Sequence, residues 1–280
     1  MKKLVLILAV LASMLSYQAD AKKIALLIGV ERYPATSGWT TLHSMNDVQL
    51  LETSLKKSGF AVYKLTDKNA THQGILNAIG SIKCAPGDMV WIHFSGHGQQ
   101  MTDAMGDEKQ DALTEAFIPW DAQKRPSKTY KGQNHLTDDE INEALIPLRN
   151  RLTAKGQLLV TFDACHSADG ARGDDEDELS VDDDDLIARG TSIVFKLGKR
   201  ITRKNKISNN AASLIEISAC QSSEVNYEYK NQYGSLSYLL SMAIKQQGKK
   251  VNFLRLAQYV TNKAHYSPVM PKQTPNYEVY

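Results

Sequence analysis

Two apolar runs in this chain each end in a side chain able to do covalent chemistry. Gln157-Leu-Leu-Val-Thr-Phe-Asp-Ala leads into Cys165, followed by His166 and Ser167, and Met89-Val-Trp-Ile-His-Phe leads into Ser95-Gly96-His97-Gly98. A free thiol has a pKa of about 8.5 and is only a few per cent thiolate at neutral pH. An imidazole can take its proton and later protonate a leaving amine. In a parallel α/β sheet, ligands bind at the carboxyl ends of the strands. A thiol and an imidazole delivered there by two strands predict a cysteine hydrolase, with Cys165 as nucleophile and His97 as base. His166 is the rival base, but neighbours on an extended segment point to opposite faces, which favours His97. The glycines flanking His97 let backbone approach a substrate closely. Two blander readings stay open: His97 as a hydrogen-bonded core histidine, and a Cys–His metal site. A metal site needs three or four ligands at suitable spacing, and no second cysteine cluster exists.

The elements that must carry these residues alternate in type. Residues 23–30, apolar after Lys23, read as a buried strand, and 46–58 carries Val48, Leu50, Leu51 and Leu55 at helical spacing. Residues 61–65 look like a strand, and Thr71 can cap a helix bearing Ile75, Leu76, Ile79 and Ile82. Strand 88–94 is followed by an acidic loop and then Ala116-Phe-Ile-Pro. Thr137-Asp-Asp-Glu140 is a capping box opening a helix with Ile141, Leu145 and Leu148. Strands at 157–163 and 213–219 and helices at 235–246 and 253–264 complete the pattern. This order predicts an α/β fold with a mainly parallel sheet and right-handed crossovers.

Composition bounds the rest. Met1-Lys2-Lys3, an apolar stretch from Leu4 to Leu15 and Ala19-Asp20-Ala21 predict a signal peptide over residues 1–21, with Lys22 as the mature start and export of the protein. The apolar stretch is shorter than the roughly 20 residues that span a bilayer, so no stable membrane anchor is expected. The formal charge of +2 over 280 residues gives no reason to expect nucleic acid. Three cysteines, Cys84, Cys165 and Cys220, make no disulfide framework, and Cys84 and Cys220 read as buried free thiols. Residues 173–210 hold two acidic blocks, 174–178 and 182–185, and a basic segment at 199–206. Neither could bury a core, so the stretch is expected to be an exposed charged linker.

These motifs resemble the caspase-like cysteine peptidases, the metacaspase type in particular. The resemblance rests on Ser95-Gly96-His97-Gly98 and Asp163-Ala164-Cys165-His166-Ser167 first. Ala25–Val30 with Asn46-Asp47-Val48, Phe117–Asp121, Leu136–Ile141, Ile217–Glu224 and Tyr233–Tyr238 follow in the family's order. It implies a caspase-like three-layer α/β/α domain over residues 22–280. A large-subunit-like part (22–172) and a small-subunit-like part (211–280) would flank the linker. It also implies an oxyanion hole from the amides of Gly98 and Cys165, and a substrate pocket with Asp47, Ser95 and Asp163 that takes Arg or Lys. Asp163 lies two residues before Cys165, hence on the same strand face, and two carboxylates suit a guanidinium. The substrate would be a protein or peptide with a basic residue at the cut. Asp138 and Asp139 match part of the family's calcium cluster, or simply favour a helix N-terminus. No cofactor is expected for the chemistry, with calcium at most an activator. The basic segment near Lys199–Lys206 is the expected site of self-cleavage. The competing readings are a catalytically silent scaffold that binds partners, and a clostripain-like or legumain-like endopeptidase with another pocket.

Overall fold

In the first strand, β1 (Lys23–Gly29), Ala25 and Leu27 pack into one core and Ile24, Leu26 and Ile28 into another, all buried. Burial on both faces is what a parallel strand covered by two helical layers requires. The computed structural model describes residues 21–102, 113–164, 187–191, 193–196, 205–221, 224–264, 267–270 and 273–280. After β1 the chain forms α1 (Ser44–Lys57), β2 (Ala61–Thr66), α2 (His72–Ser81), β3 (Met89–Ser95) and β4 (Gly98–Thr102). Next come β5 (Leu113–Phe117), β6 (Leu136–Thr137), α3 (Asp138–Leu152), β7 (Gln157–Asp163) and β8 (Ser213–Ser218). The last part holds β9 (Glu228–Tyr229), β10 (Tyr233–Gly234), α4 (Ser235–Gln247), α5 (Phe253–Ala264) and β11 (Asn276–Val279).

The central sheet has the order β11-β8-β7-β3-β1-β2. All its pairings are parallel except that of β11 with β8. Helices α1, α4 and α5 cover one face through Val48, Leu51, Leu236, Leu240, Phe253 and Leu256. On the other face α2 and α3 bury Ile75, Ile79, Ile141, Leu145 and Leu148. The result is the expected three-layer α/β/α domain. Helix α3 starts at the capping box read from the sequence: Glu140 N–H donates to Thr137 Oγ1 (3.3 Å), and Thr137 N–H donates to Glu140 Oε2 (3.2 Å).

Three features differ from the sequence reading. Residues after Gly98 do not form a simple loop: β4, β5 and β6 make a small antiparallel sheet beside the main one. Strand β11 is too polar and too exposed to have been recognised as a strand. The linker is not exposed throughout, because Arg189, Thr191 and Phe195 are buried. Charge-rich neighbours hid that burial, which depends on partners far away in sequence. The acidic blocks, residues 199–204 of the basic segment and the apolar leader lie outside the described residues. Cys220 is a buried free thiol, whereas Cys84 is only half-buried.

Candidate active site

The register of the sheet builds the site's floor. Gly29 pairs with Ser95, and Ser95 with Asp163, so the three strand ends stand in one row. Gly96 N–H donates to the Asp163 carbonyl (3.3 Å), which holds the turn into His97 against the end of β7. Cys165 and His166 lie outside the described residues, two and three positions beyond Asp163.

His97 is buried, with its ring stacked on Trp39 at 4.8 Å between centroids and tilted against Tyr33 at 5.4 Å. Its Nε2 lies 3.0 Å from the Thr40 carbonyl, an acceptor only, so Nε2 carries the proton. Nδ1 then bears the lone pair, and it has no hydrogen-bond partner among the described residues. Burial drives the His97 pKa down to about 3, helped by the positive charges of Arg189 and Lys124. The ring is therefore a neutral base with one nitrogen oriented and the other available. Thr40 is not legible in the sequence, because the orienting group is a main-chain carbonyl.

The three expected pocket residues do converge, and a side chain of the same chain lies among them. Arg189 is fully buried. Its Nη2 donates to Asp47 Oδ2 (2.8 Å) and to Glu228 Oε1 (2.9 Å). Its Nη1 donates to Ser95 Oγ (2.8 Å) and to the Asp163 carbonyl (3.1 Å), with Asp163 Oδ1 at 3.7 Å. Burial would lower the Arg189 pKa, but the three carboxylates outweigh it and the guanidinium stays charged. Burial pushes Asp47 up to about 7, against the lowering pull of Arg189. Ser95 Oγ–H also donates to Asp47 Oδ2 (2.7 Å), which fixes that carboxylate toward the guanidinium.

Neighbouring groups hold the acids in place. Asp163 Oδ1 accepts from Asn226 Nδ2 (2.8 Å), and Oδ2 accepts from Ser237 N–H (2.7 Å) and Oγ–H (2.6 Å). His93 continues this chain, with Nε2 3.1 Å from Ser237 Oγ and Nδ1 2.7 Å from Thr161 Oγ1. Gly234 N–H donates to Asp47 Oδ1 (2.8 Å). A Cβ at Gly234 would lie 2.1 Å from Asp163 Oδ2 and 2.7 Å from Arg189 Nη1, so only glycine fits there. Glu228, Asn226 and Ser237 were missed in the sequence, since nothing local marks an isolated Glu or Ser as part of a pocket.

The backbone around Arg189 is hydrogen-bonded on both sides. Gly98 N–H donates to the Arg189 carbonyl (2.9 Å), Arg189 N–H to the Asn226 carbonyl (2.9 Å), and Glu228 N–H to the Ile187 carbonyl (2.9 Å). Ala188 pairs antiparallel with Tyr227. The Gly98 amide, expected to line an oxyanion hole, is thus bonded to the carbonyl of the arginine that fills the pocket.

Asp138 and Asp139 lie apart, in the first turn of α3. Asp138 Oδ1 accepts from Thr114 Oγ1 (2.7 Å) and from Asp139 N–H (2.8 Å), and burial raises its pKa to about 6. Among the described residues no three His, Cys, Asp or Glu side chains are grouped to hold a metal. The six to eight oxygens that calcium takes are therefore not met by these residues alone.

A parallel sheet with this edge is the layout of the caspase fold. The structure resembles a crystal structure of a protein from Geobacter sulfurreducens, with a TM-score of 0.61 at 22% identity over 92% of this chain and 93% of that one. It likewise resembles caspase-1 from Spodoptera frugiperda, with a TM-score of 0.59 at 14% identity over 92% and 86%. A family model described as the caspase domain matches residues 22–279, and the chain belongs to that peptidase family. Curated relatives include Metacaspase-1A of Aspergillus fumigatus, 34% identical over 163 residues, which cover 54% of this chain and 36% of that protein. Metacaspase-1 of Mycosarcoma maydis is 31% identical over 162 residues, covering 53% and 36%. The match thus spans about a third of the length of these relatives. No helix among the described residues is long and apolar enough to cross a membrane.

Proposed function

We propose that this protein is a cysteine endopeptidase that cuts after arginine, less readily after lysine, and that its first substrate is its own Arg189–Gly190 bond. The observation that carries this reading is Arg189, with its side chain among Asp47, Ser95, Asp163 and Glu228 and its carbonyl on the Gly98 amide. The Cys165 thiolate attacks the carbonyl carbon, and negative charge grows on the oxygen that Gly98 N–H already holds. Such a donor contributes about 2.7–4 kcal/mol to the transition state in other hydrolases. His97 takes the thiol proton on Nδ1 and gives it to the departing amine of Gly190. Water then hydrolyses the thioester and frees the thiol.

Arginine is favoured because both terminal nitrogens are used, four bonds in all. A lysine ammonium is a single point with three donors and cannot serve all four acceptors at once. This moves the expected cut from the Lys199–Lys206 segment to Arg189. Intact mass checks it: wild type should split after Arg189, and the Cys165→Ala chain should stay whole. Peptides ending in Arg, Lys or Asp before a fluorophore should be turned over in the order Arg, Lys, then not at all for Asp. A protein that self-cuts nowhere and leaves Arg peptides intact under reducing conditions would favour the silent scaffold, and turnover governed by another residue type would favour the clostripain-like or legumain-like alternative.

Export is part of the proposal, on the basic and apolar opening of the sequence; N-terminal sequencing of the mature protein should begin at Lys22. Calcium activation through Asp138 and Asp139 would require further oxygen ligands. Assays with millimolar calcium and with chelator check whether turnover depends on it.

A further inference from the structure

Beyond the Arg189 carbonyl the chain has a second anchor. Residues 193–196 lie along β4, with Phe195 paired in parallel to Met101. Phe195 N–H donates to the Gln100 carbonyl (3.2 Å) and Thr102 N–H donates to the Phe195 carbonyl (2.8 Å), so Phe195 forms a single parallel bridge along β4 in the manner of an incoming strand. The Phe195 side chain is buried in a cluster with Trp39, Met101, Ala116, Ile118 and Tyr130. Tyr130 meets it edge-on at 5.9 Å and His135 lies at 4.6 Å. A Cβ on Gly132 would sit 2.9 Å from the Phe195 ring, so that glycine makes room for it.

A buried polar relay meets the backbone of the same segment. Tyr130 Oη–H bonds to His135 Nδ1 (2.9 Å), His135 Nε2–H to Gln99 Oε1 (2.6 Å), and Gln99 Nε2 to the Ile193 carbonyl (2.8 Å). Gln99 and His135 are fully buried, so the donor aimed at Ile193 is fixed in advance. Strand addition gives affinity through main-chain bonds, and side-chain pockets give specificity. Both elements are present here.

We propose that the cleft holding Phe195 is a substrate subsite in its own right, taking an aromatic side chain six residues past the cleaved bond, with the linker as its built-in occupant. Phe195 stands six positions after Arg189. The proposal rests on the reading of Arg189 as the residue before the cut. It explains why Arg189 rather than another basic linker residue would be presented for cleavage: the chain is tied on both sides of one bond. Substrates in trans would be chosen by two features, an arginine and a downstream aromatic.

The test uses the full-length Cys165→Ala chain carrying Arg189→Ala and Phe195→Ala, in which both anchors are removed. A labelled peptide copying residues 187–197 is titrated by fluorescence anisotropy, alongside versions with Ala for its Phe and Ala for its Arg. The Phe peptide should bind about tenfold more tightly than its Ala counterpart, as burial of one aromatic side chain implies. Equal affinities would overturn the subsite and leave the arginine pocket standing. Affinity that depends on the Phe but not on the Arg would instead overturn the pocket reading. The same peptides as substrates of the active Phe195→Ala enzyme, whose cleft is not filled by its own Phe195, give an answer even if the triple variant fails to fold. There, Phe should lower KM several-fold with kcat unchanged, and an unchanged KM counts against the subsite. In the active chain, Phe195→Ala should slow the Arg189 cut about tenfold, with Phe195→Leu in between; a wild-type rate for both would sink the proposal.

Discussion

Arg189 sits among three carboxyl groups. Asp47 and Glu228 each lie within 2.9 Å and Asp163 at 3.7 Å, all three fully buried. Removing one partner of such a buried set costs roughly 2–5 kcal/mol. Glu228→Gln should therefore lower kcat/KM for Arg peptides by about 30-fold or more, mainly by raising KM, in steady-state assays. Burial raises Asp47 to about 7, so the pocket gains its full negative charge only above that pH. KM for Arg peptides should rise as pH falls from 8 to 6, and a flat KM across that range would remove Asp47 from the pocket. His93 has the opposite sign. Burial depresses it to about 4 from 6.5, so its contribution to stability is present above pH 6.5 and lost as pH falls through 4. His93→Gln should remove about 3 kcal/mol of acid-induced destabilisation over that window, read from urea midpoints at pH 7.5 and 4.5.

At the scale of elements, the parallel strands were legible because each is a continuous apolar run closing on a polar residue. Their ends named Ser95, His97 and Asp163, and the register sets Ser95 beside Asp163. What could not be read is what the sheet gathers from elsewhere. Glu228 arrives on β9, a strand of two residues, and Ser237 on the first turn of α4. Strand β4 was hidden because Gly98-Gln-Gln-Met-Thr has no apolar alternation; its order comes from pairing with β5 on one edge and the linker on the other. Gly234 shows how narrow these junctions are. Gly234→Ala should abolish turnover of Arg peptides and lower the thermal midpoint, since its methyl would occupy the space of the Asp163 carboxylate.

Across the whole molecule, the linker connects parts of the chain that are distant in sequence. Arg189 joins α1, β3 and β7 to β9, while Phe195 joins β4 to the loop before β6. The cluster around Phe195 is separate from the two cores that flank the main sheet. In the uncut Cys165→Ala chain, Arg189→Ala removes the guanidinium shared by three buried carboxyl groups and leaves Glu228 with only His43, its Nδ1 2.6 Å away. That should lower unfolding stability by about 3 kcal/mol near pH 8 and by less near pH 5, where Asp47 is protonated in both forms. Equal stability of the two chains at pH 8 would mean that the pocket acids are screened by something other than Arg189.

The Gly98–Arg189 contact also has a kinetic consequence. A scissile bond already seated in its own cleft reacts as a unimolecular process, since its local concentration is set by the fold and not by the solution. Maturation should then follow first-order kinetics with a half-life independent of how much enzyme is present. Dilution would not delay it and overproduction would not hasten it. If Arg189–Gly190 is the bond cut, such a protein would carry a clock rather than a threshold, and each molecule would start only once.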